Sequence, residues 1–287
     1  MEHAEPPCRK ADHRLLRGGR WGQGCAGYAG EWGDAFSRRV DGLPARFVRP
    51  DDTERPTWAL YENERYLGTL HARPDGDGLW HVQSAAEQCL CLDDAVRVLR
   101  RPSSWSHQRE QAARWARAVL ADPALLVIDV QTAGLGPQAW AVQIAVMDGT
   151  GRTVVNEMLN PCEPITATAS RLHGITPSHV ARAPRFADLL PELTGVLAGR
   201  RCVAYNARFD RGVLARELLR HHEDVSPVRA WLGQARWEDA MGPAAVARGL
   251  WSADRLQYSN QRLGGSYDAA EKCRTLLRRL HSLAGSA

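Results

Sequence analysis

The chain has 287 residues, 44% hydrophobic and 24% charged, enough for one large domain or two ordinary ones and too balanced for wholesale disorder. Its longest apolar run, Ala124 to Ile128, falls far short of the roughly 20 residues a membrane-spanning helix needs, and no basic-then-apolar leader opens Met1 to Arg20. A cytoplasmic protein without membrane contact is therefore expected. The net charge of +4 permits contact with nucleic acid without requiring it, and Lys10 and Lys272 are the only lysines beside the many arginines.

In chain order, residues 1–45 are rich in Gly, Arg and Trp without helical or strand periodicity and read as a poorly ordered leader. Residues 46–101 read as a small strand-strand-strand-helix module of unknown partner. Its segments TWALYE, RYLGTLHAR and GLWHVQ alternate apolar and polar residues between turns at Asn63-Glu64 and at 74–78, and a helix opens at Leu92. Residues 102–122 hold a break at Pro102-Ser103-Ser104 and a connecting helix from Trp105 to Leu120. From residue 123 to 287 the order changes to α/β. Leu125 to Val130 (LLVIDV) is an apolar run ending in an acid, as in a buried central strand, followed by strands at Ala139 to Met147 and Thr153 to Leu159. Helical patterns at Thr166 to His173 and Pro184 to Leu197 precede a strand at Arg201 to Tyr205 and helices from Phe209 and from about Tyr267 to Leu283. This order implies a mixed sheet.

Seven cysteines without a secretory signal are expected to be reduced, and Cys89 and Cys91 have no second pair at zinc-site spacing. Two acids attract more attention. Asp129 ends the first strand of the α/β part, and Asp210 follows the later strand at the start of its helix. If the strands are neighbours, both carboxylates meet at the carboxyl edge of the sheet, where such sheets bind ligands. Paired carboxylates there suit Mg²⁺ or Mn²⁺, and two such ions can activate water and stabilise the leaving oxygen of a phosphodiester. Taken singly, each acid reads better as a strand-end turn residue or a helix cap.

The residues around them form a pattern. Asp129-Val130-Gln131-Thr132-Ala133-Gly134-Leu135 resembles the D-x-E-T-T-G-L motif of DnaQ-like 3′–5′ exonucleases, a family of the ribonuclease H-like superfamily. Leu172-His173-Gly174-Ile175-Thr176 resembles the family's L-H-G-I-T loop, and Tyr205 to Asp210 its H-N-A-x-F-D motif. The resemblance covers roughly residues 125–283 and implies a five-stranded mixed sheet with flanking helices. It also implies a metal-dependent nuclease that removes nucleotides from the 3′ end of single-stranded DNA or RNA.

Family members hold two metal ions with four carboxylates, D-E-D-D, and use a His or Tyr to orient water. Asp129 and Asp210 match. Gln131 replaces the second acid, leaving a weakened metal ligand. The third motif, H-x-A-x-x-D, falls on residues 267–272, with Tyr267 in place of His and Lys272 in place of the last Asp. A sister branch reads Y-x-x-x-D, so Tyr267 could orient water while Glu271 reaches the metal. The plainer alternative is a packed aromatic and a solvated helix acid. A shift by four residues makes Asp268 the last acid but leaves Leu263 at the base position. By resemblance Thr132, Gly134 and Leu135 contact the terminal nucleotide, His173 lies beside the 3′ end, and Asn206 and Phe209 shape the pocket wall. Arg208, Arg211 and Arg216 are candidates for phosphate contact. Two functions are thus expected: a 3′–5′ exonuclease, or an inactive relative that binds nucleic acid or protein through the inherited pocket.

Overall fold

The computed structural model describes residues 34–51, 57–72, 79–134, 136, 138–220 and 224–286. They form two compact units. One takes the chain up to Trp105 together with Arg248–Ser259, and the other takes Ser106–Ala247 with Asn260 onward. Among the described residues no helix is long and apolar enough to cross a membrane.

The first unit is an antiparallel meander of six strands in chain order. They are β1 (Ala35–Val40), β2 (Leu43–Val48), β3 (Thr57–Glu62), β4 (Arg65–Ala72), β5 (Trp80–Val82) and β6 (Glu87–Cys89). Helix α1 (Leu92–Leu99) shares a core with one face of the sheet, where Phe47, Trp58, Leu60, Leu70 and Val82 meet Ala95 and Val96. Gly68, at φ +154°, makes this close approach possible: a Cβ there would lie 2.5 Å from a Leu99 methyl.

Two expectations need correction here. Residues 35–45, assigned to the leader, form β1 and the start of β2. The signal is Asp41-Gly42, both at positive φ (51° and 76°), a two-residue hairpin turn between alternating segments. The module is also not confined to residues 46–101. Strands β12 (Trp251–Ser252) and β13 (Gln257–Tyr258), inside the stretch assigned to the C-terminal domain, belong to this unit, and Leu250 is buried in its core.

The second unit is a mixed five-stranded sheet in the order β11-β10-β7-β8-β9. Strands β7 (Leu125–Thr132), β8 (Ala141–Asp148) and β9 (Thr153–Met158) form an antiparallel meander, while β10 (Arg201–Ala204) pairs in parallel with β7 and with β11 (Arg236–Asp239). This is the expected α/β architecture with flanking helices. The first half of β7, Leu125 to Ile128, is buried on both faces, which explains its apolar run up to Asp129. Leu126, Ile128 and Val130 pack with α5 (Phe186–Leu197) and α6 (Ala207–Leu219). Leu125 and Val127 pack with α9 (Ala269–Ala284) and with Val119 of α2 (Trp105–Leu120). From Ser106 onward, helix α2 is thus part of this second unit rather than a bare connector.

Candidate active site

The end of β7 and the first turns of α6 and α9 converge on Asp129. Asp210 lies in the first turn of α6, 3% exposed, and its Oδ1 accepts a hydrogen bond of 2.9 Å from the Val130 amide. The turn into α6 depends on Asn206, the residue before the helix, whose φ of 74° is one that Asn tolerates better than most side chains. Asp239, at the end of β11, accepts hydrogen bonds from the Asn206 amide at 2.8 Å and the Met241 amide at 3.0 Å, which ties that turn to the sheet edge. The two acids read from sequence are therefore brought together. Burial raises Asp210 well above the ordinary carboxylate range, and the neighbouring Asp129 charge raises it further. Burial likewise lifts Asp129 to about 6, opposed by the hydrogen bond from Gln131 and the positive charge of Lys272, and reinforced by the charge of Asp268.

The other proposed metal ligands do not complete the site. Gln131 Nε2 donates to Asp129 Oδ2 at 2.6 Å. Only the NH₂ end of an amide can face a carboxylate, so Gln131 offers Asp129 a donor where a metal would need an oxygen. Glu271 is not delivered to the site at all: its side chain is 47% exposed and paired with Arg274. The phase of α9 is the reason. Its buried stripe runs through Ala269, Lys272, Cys273, Leu276 and Leu280, and residue 271 lies about 100° around the helix from residue 272.

Lys272 therefore takes the inward position, 8% exposed. Its Nζ donates to the Gly264 carbonyl at 2.8 Å and stands 4.2 Å from the centre of the Tyr267 ring. The carbonyl reaches it because Gly264 and Gly265 both adopt left-handed φ (84° and 76°). Tyr267, proposed to orient water, instead places its ring against this ammonium. Asp268 serves as the cap of α9, accepting from the Glu271 amide at 2.9 Å and from Gln143 Nε2 at 2.8 Å. Gln143 was not anticipated from sequence. Its Oε1 also accepts from the Ala269 amide at 3.0 Å, so one side chain clamps both groups at the start of α9. The sequence signal is a lone amide inside the otherwise apolar strand AVQIAVM.

The nucleotide-binding candidates fall into two groups. Thr132 is buried and its hydroxyl donates to the Gly134 carbonyl at 2.7 Å. His173 Nδ1 accepts from the Ile175 amide at 3.0 Å, which leaves Nε2–H to donate to the Thr132 carbonyl at 3.1 Å. Burial lowers the His173 pKa below its ordinary value, favouring this neutral form. Asn206 and Phe209 are exposed at the entrance of α6. Leu135 lies outside the described residues. Arg216, a phosphate candidate, bonds the Ala139 carbonyl at 3.0 Å instead.

The donor set does not fit two divalent ions. Asp129 and Asp210 are brought together, Asp129 is bound by an amide N–H with an ammonium beside it, and the third nearby acid, Asp268, is spent on capping α9. Among the described residues no group of three or more His, Cys, Asp or Glu could hold a metal.

Residues 126–254 match the family model described as Exonuclease. The chain is 39% identical over 93 residues to Exodeoxyribonuclease 10 of Escherichia coli strain K12, covering 31% of this chain and 40% of that protein. It is 35% identical over 85 residues to an uncharacterized exonuclease of Escherichia phage 186, covering 30% of this chain and 44% of the phage protein. A DNA polymerase III subunit epsilon-like protein of Rhodobacter capsulatus shares 39% identity over 101 residues, 33% of this chain and 14% of that protein. The chain thus spans less than half the length of each of these relatives. Among solved structures, an exonuclease X complex with 5′ overhanging duplex DNA aligns over 56% of this chain and 92% of that one, at 26% identity and a TM-score of 0.39. On the ordered motifs, the sheet and the family match over residues 126–254, the C-terminal unit is similar to the DnaQ-like exonucleases of the ribonuclease H-like superfamily.

Proposed function

We propose that this exonuclease-type domain binds the 3′ end of a single nucleic-acid strand without hydrolysing it through the family's two metal ions. The observation that carries this reading is the buried Lys272 ammonium, which bears on Asp129 and, in the register that ends the third motif at residue 272, replaces the last metal-binding acid. A fixed cation there neutralises charge that metal ions would otherwise need. It cannot activate water as a bound divalent ion does. The other half of the pocket supports retained binding: hydrogen bonds join Thr132 to Gly134 and to His173, and Asn206 and Phe209 stand exposed beside Asp210 in the chain. The naming of the Escherichia coli relative as an exodeoxyribonuclease supports DNA as the ligand.

The test compares the wild-type chain with the Asp129→Ala/Asp210→Ala variant on a labelled single strand in Mg²⁺ and in Mn²⁺. The expected result is no shortening above the variant in either metal, with tighter binding to a free 3′-hydroxyl than to a blocked end. Metal-dependent release of nucleotides that disappears in the variant would overturn the proposal in favour of an active 3′–5′ exonuclease, the outcome the intact Asp129–Asp210 pair would then explain.

A further inference from the structure

The N-terminal sheet has two unlike faces. On the side of α1, arginines are matched to acids: Arg38 with Asp93, Arg97 with Asp41 and Asp94, Arg100 with Glu62, and Arg101 with Glu87. On the opposite side the register aligns Ser37, Arg46, Tyr61 and Tyr66 in one row across four strands. A second row runs through Thr57, His71, His81 and Gln88. Among the described strand residues on this side, none is acidic. Arg39 is exposed on the same face, its guanidinium donating to the Gly42 carbonyl at 2.8 Å, and Arg46, with 59% of its side chain exposed, pairs loosely with Glu64 of the β3–β4 turn at 4.0 Å.

The aromatic pair is built rather than incidental. Tyr66 is 53% exposed, yet its hydroxyl is held to Thr69 Oγ1 at 2.6 Å and its ring lies 5.7 Å from that of Tyr61. His71 and His81 are likewise fixed, by Thr57 at 2.8 Å and by Gln88 at 3.0 Å. An exposed ring held in a fixed direction, with the Arg46 guanidinium in the same row and no acid among the described strand residues of that side, is the chemistry that stacks an unpaired base and holds a flanking phosphate.

We infer that this outer face of the N-terminal sheet is a second binding surface, for single-stranded nucleic acid. Bases stack on Tyr66 and Tyr61, and Arg46 and Arg39 meet the backbone. Duplex is excluded as the preferred ligand because paired bases do not offer their faces to an exposed ring. The inference takes its ligand class from the reading of the C-terminal domain, while its evidence lies wholly in the N-terminal unit.

The test uses the full chain and a covalently closed single-stranded DNA circle, which has no 3′ end. Fluorescence anisotropy is measured for wild type, Tyr66→Leu and Arg46→Glu, with circular dichroism to establish that each variant is folded. Each variant is expected to bind the circle roughly tenfold more weakly. Arg46→Glu is also expected to flatten the salt dependence by about 0.7, the slope that goes with neutralising one phosphate of a single strand. Circle binding unchanged in both folded variants would overturn the inference, as would duplex binding as tight as that of the circle, or wild type failing to bind the circle. Failure of the C-terminal reading is separate: it appears as equal binding of free and blocked 3′ ends while the circle is still bound.

Discussion

A buried ammonium needs partners, and Lys272 has three of different kinds: the Gly264 carbonyl, the Tyr267 ring and the charge of Asp129. Burial lowers its pKa while Asp129 raises it, so the two groups hold each other in their charged forms. Removing one partner of such a pair strands the other's charge, whereas reversing the charge pattern around Asp129 changes what the site can hold. The variant Gln131→Glu/Lys272→Asp presents four carboxylates in the family pattern. It is expected to bind Mn²⁺ at least tenfold more tightly than wild type. With ion in about hundredfold excess over the variant's dissociation constant, the gain of about 2.7 kcal/mol raises its melting temperature by about 5 °C or more, while the wild-type shift is at most about half as large. Calorimetric titration and thermal melts check this, and equal metal response in both proteins would refute it. Asp129, Asp210 and the Gln131 replacement were all legible in the sequence. What the motif could not give was delivery: it marks which residues are chemically able, while the phase of α9 decides that 272 and not 271 faces inward.

At the scale of elements, the β8–β9 hairpin shows how a short motif fixes local structure. Asp148 Oδ1 accepts from the Thr150 amide and hydroxyl at 3.0 and 2.6 Å and from the Arg152 amide at 3.1 Å, while Oδ2 meets Arg152 Nε at 3.0 Å. The Thr150 hydroxyl bond, with the Arg152 and backbone contacts, lowers the Asp148 pKa from 3.8 to about 2. A depressed carboxylate stabilises the fold above its unfolded pKa and loses that contribution as pH falls toward the folded value. Asp148→Ala is therefore expected to lower the melting temperature at neutral pH by about 2–4 °C, the shift for about 1 kcal/mol at a largely solvated turn. The gap between the two proteins narrows as pH falls from about 4 toward 2; a gap independent of pH would show that the ionised carboxylate is not its source. This turn was readable as Asp-Gly-Thr-Gly, and the apolar runs of β7 and β8 were readable too. By contrast β11, with the sequence RWED, has no alternation to read, because parallel pairing with β10 rather than an apolar face holds it in the sheet. The strands β1 and β2 are hidden for a different reason. The Gly and Arg content of the segment before them masks the one Asp-Gly turn that organises the pair.

For the whole molecule, sequence order and unit membership disagree at Arg248–Ser259. The family match extends to residue 254, yet this segment belongs to the N-terminal unit. Leu250 is 1% exposed within the same core as Trp58 and Leu70. Arg101 holds the segment through the carbonyls of Gly249 at 2.7 Å and Arg248 at 3.0 Å. Glycine is required at 249, where φ is +67° and a Cβ would lie 2.6 Å from both Arg101 Nε and the Trp105 indole nitrogen. The core of the N-terminal unit is thus completed by residues that follow most of the exonuclease domain in the chain, and cutting at the apparent boundary removes them. A fragment ending at Trp105 is expected to unfold at lower denaturant than the same unit in the full chain, and Leu250→Ala in the full chain to cost that unit about 2–5 kcal/mol. Trp58 and Trp80 lie in this core at 5.7 Å from each other, so near-ultraviolet circular dichroism follows its unfolding. A fragment as stable as the intact unit would mean that Arg248–Ser259 merely rests on a sheet already complete. A less stable fragment, together with a destabilised Leu250→Ala, would mean that the sheet folds fully only once the exonuclease domain's chain has been made.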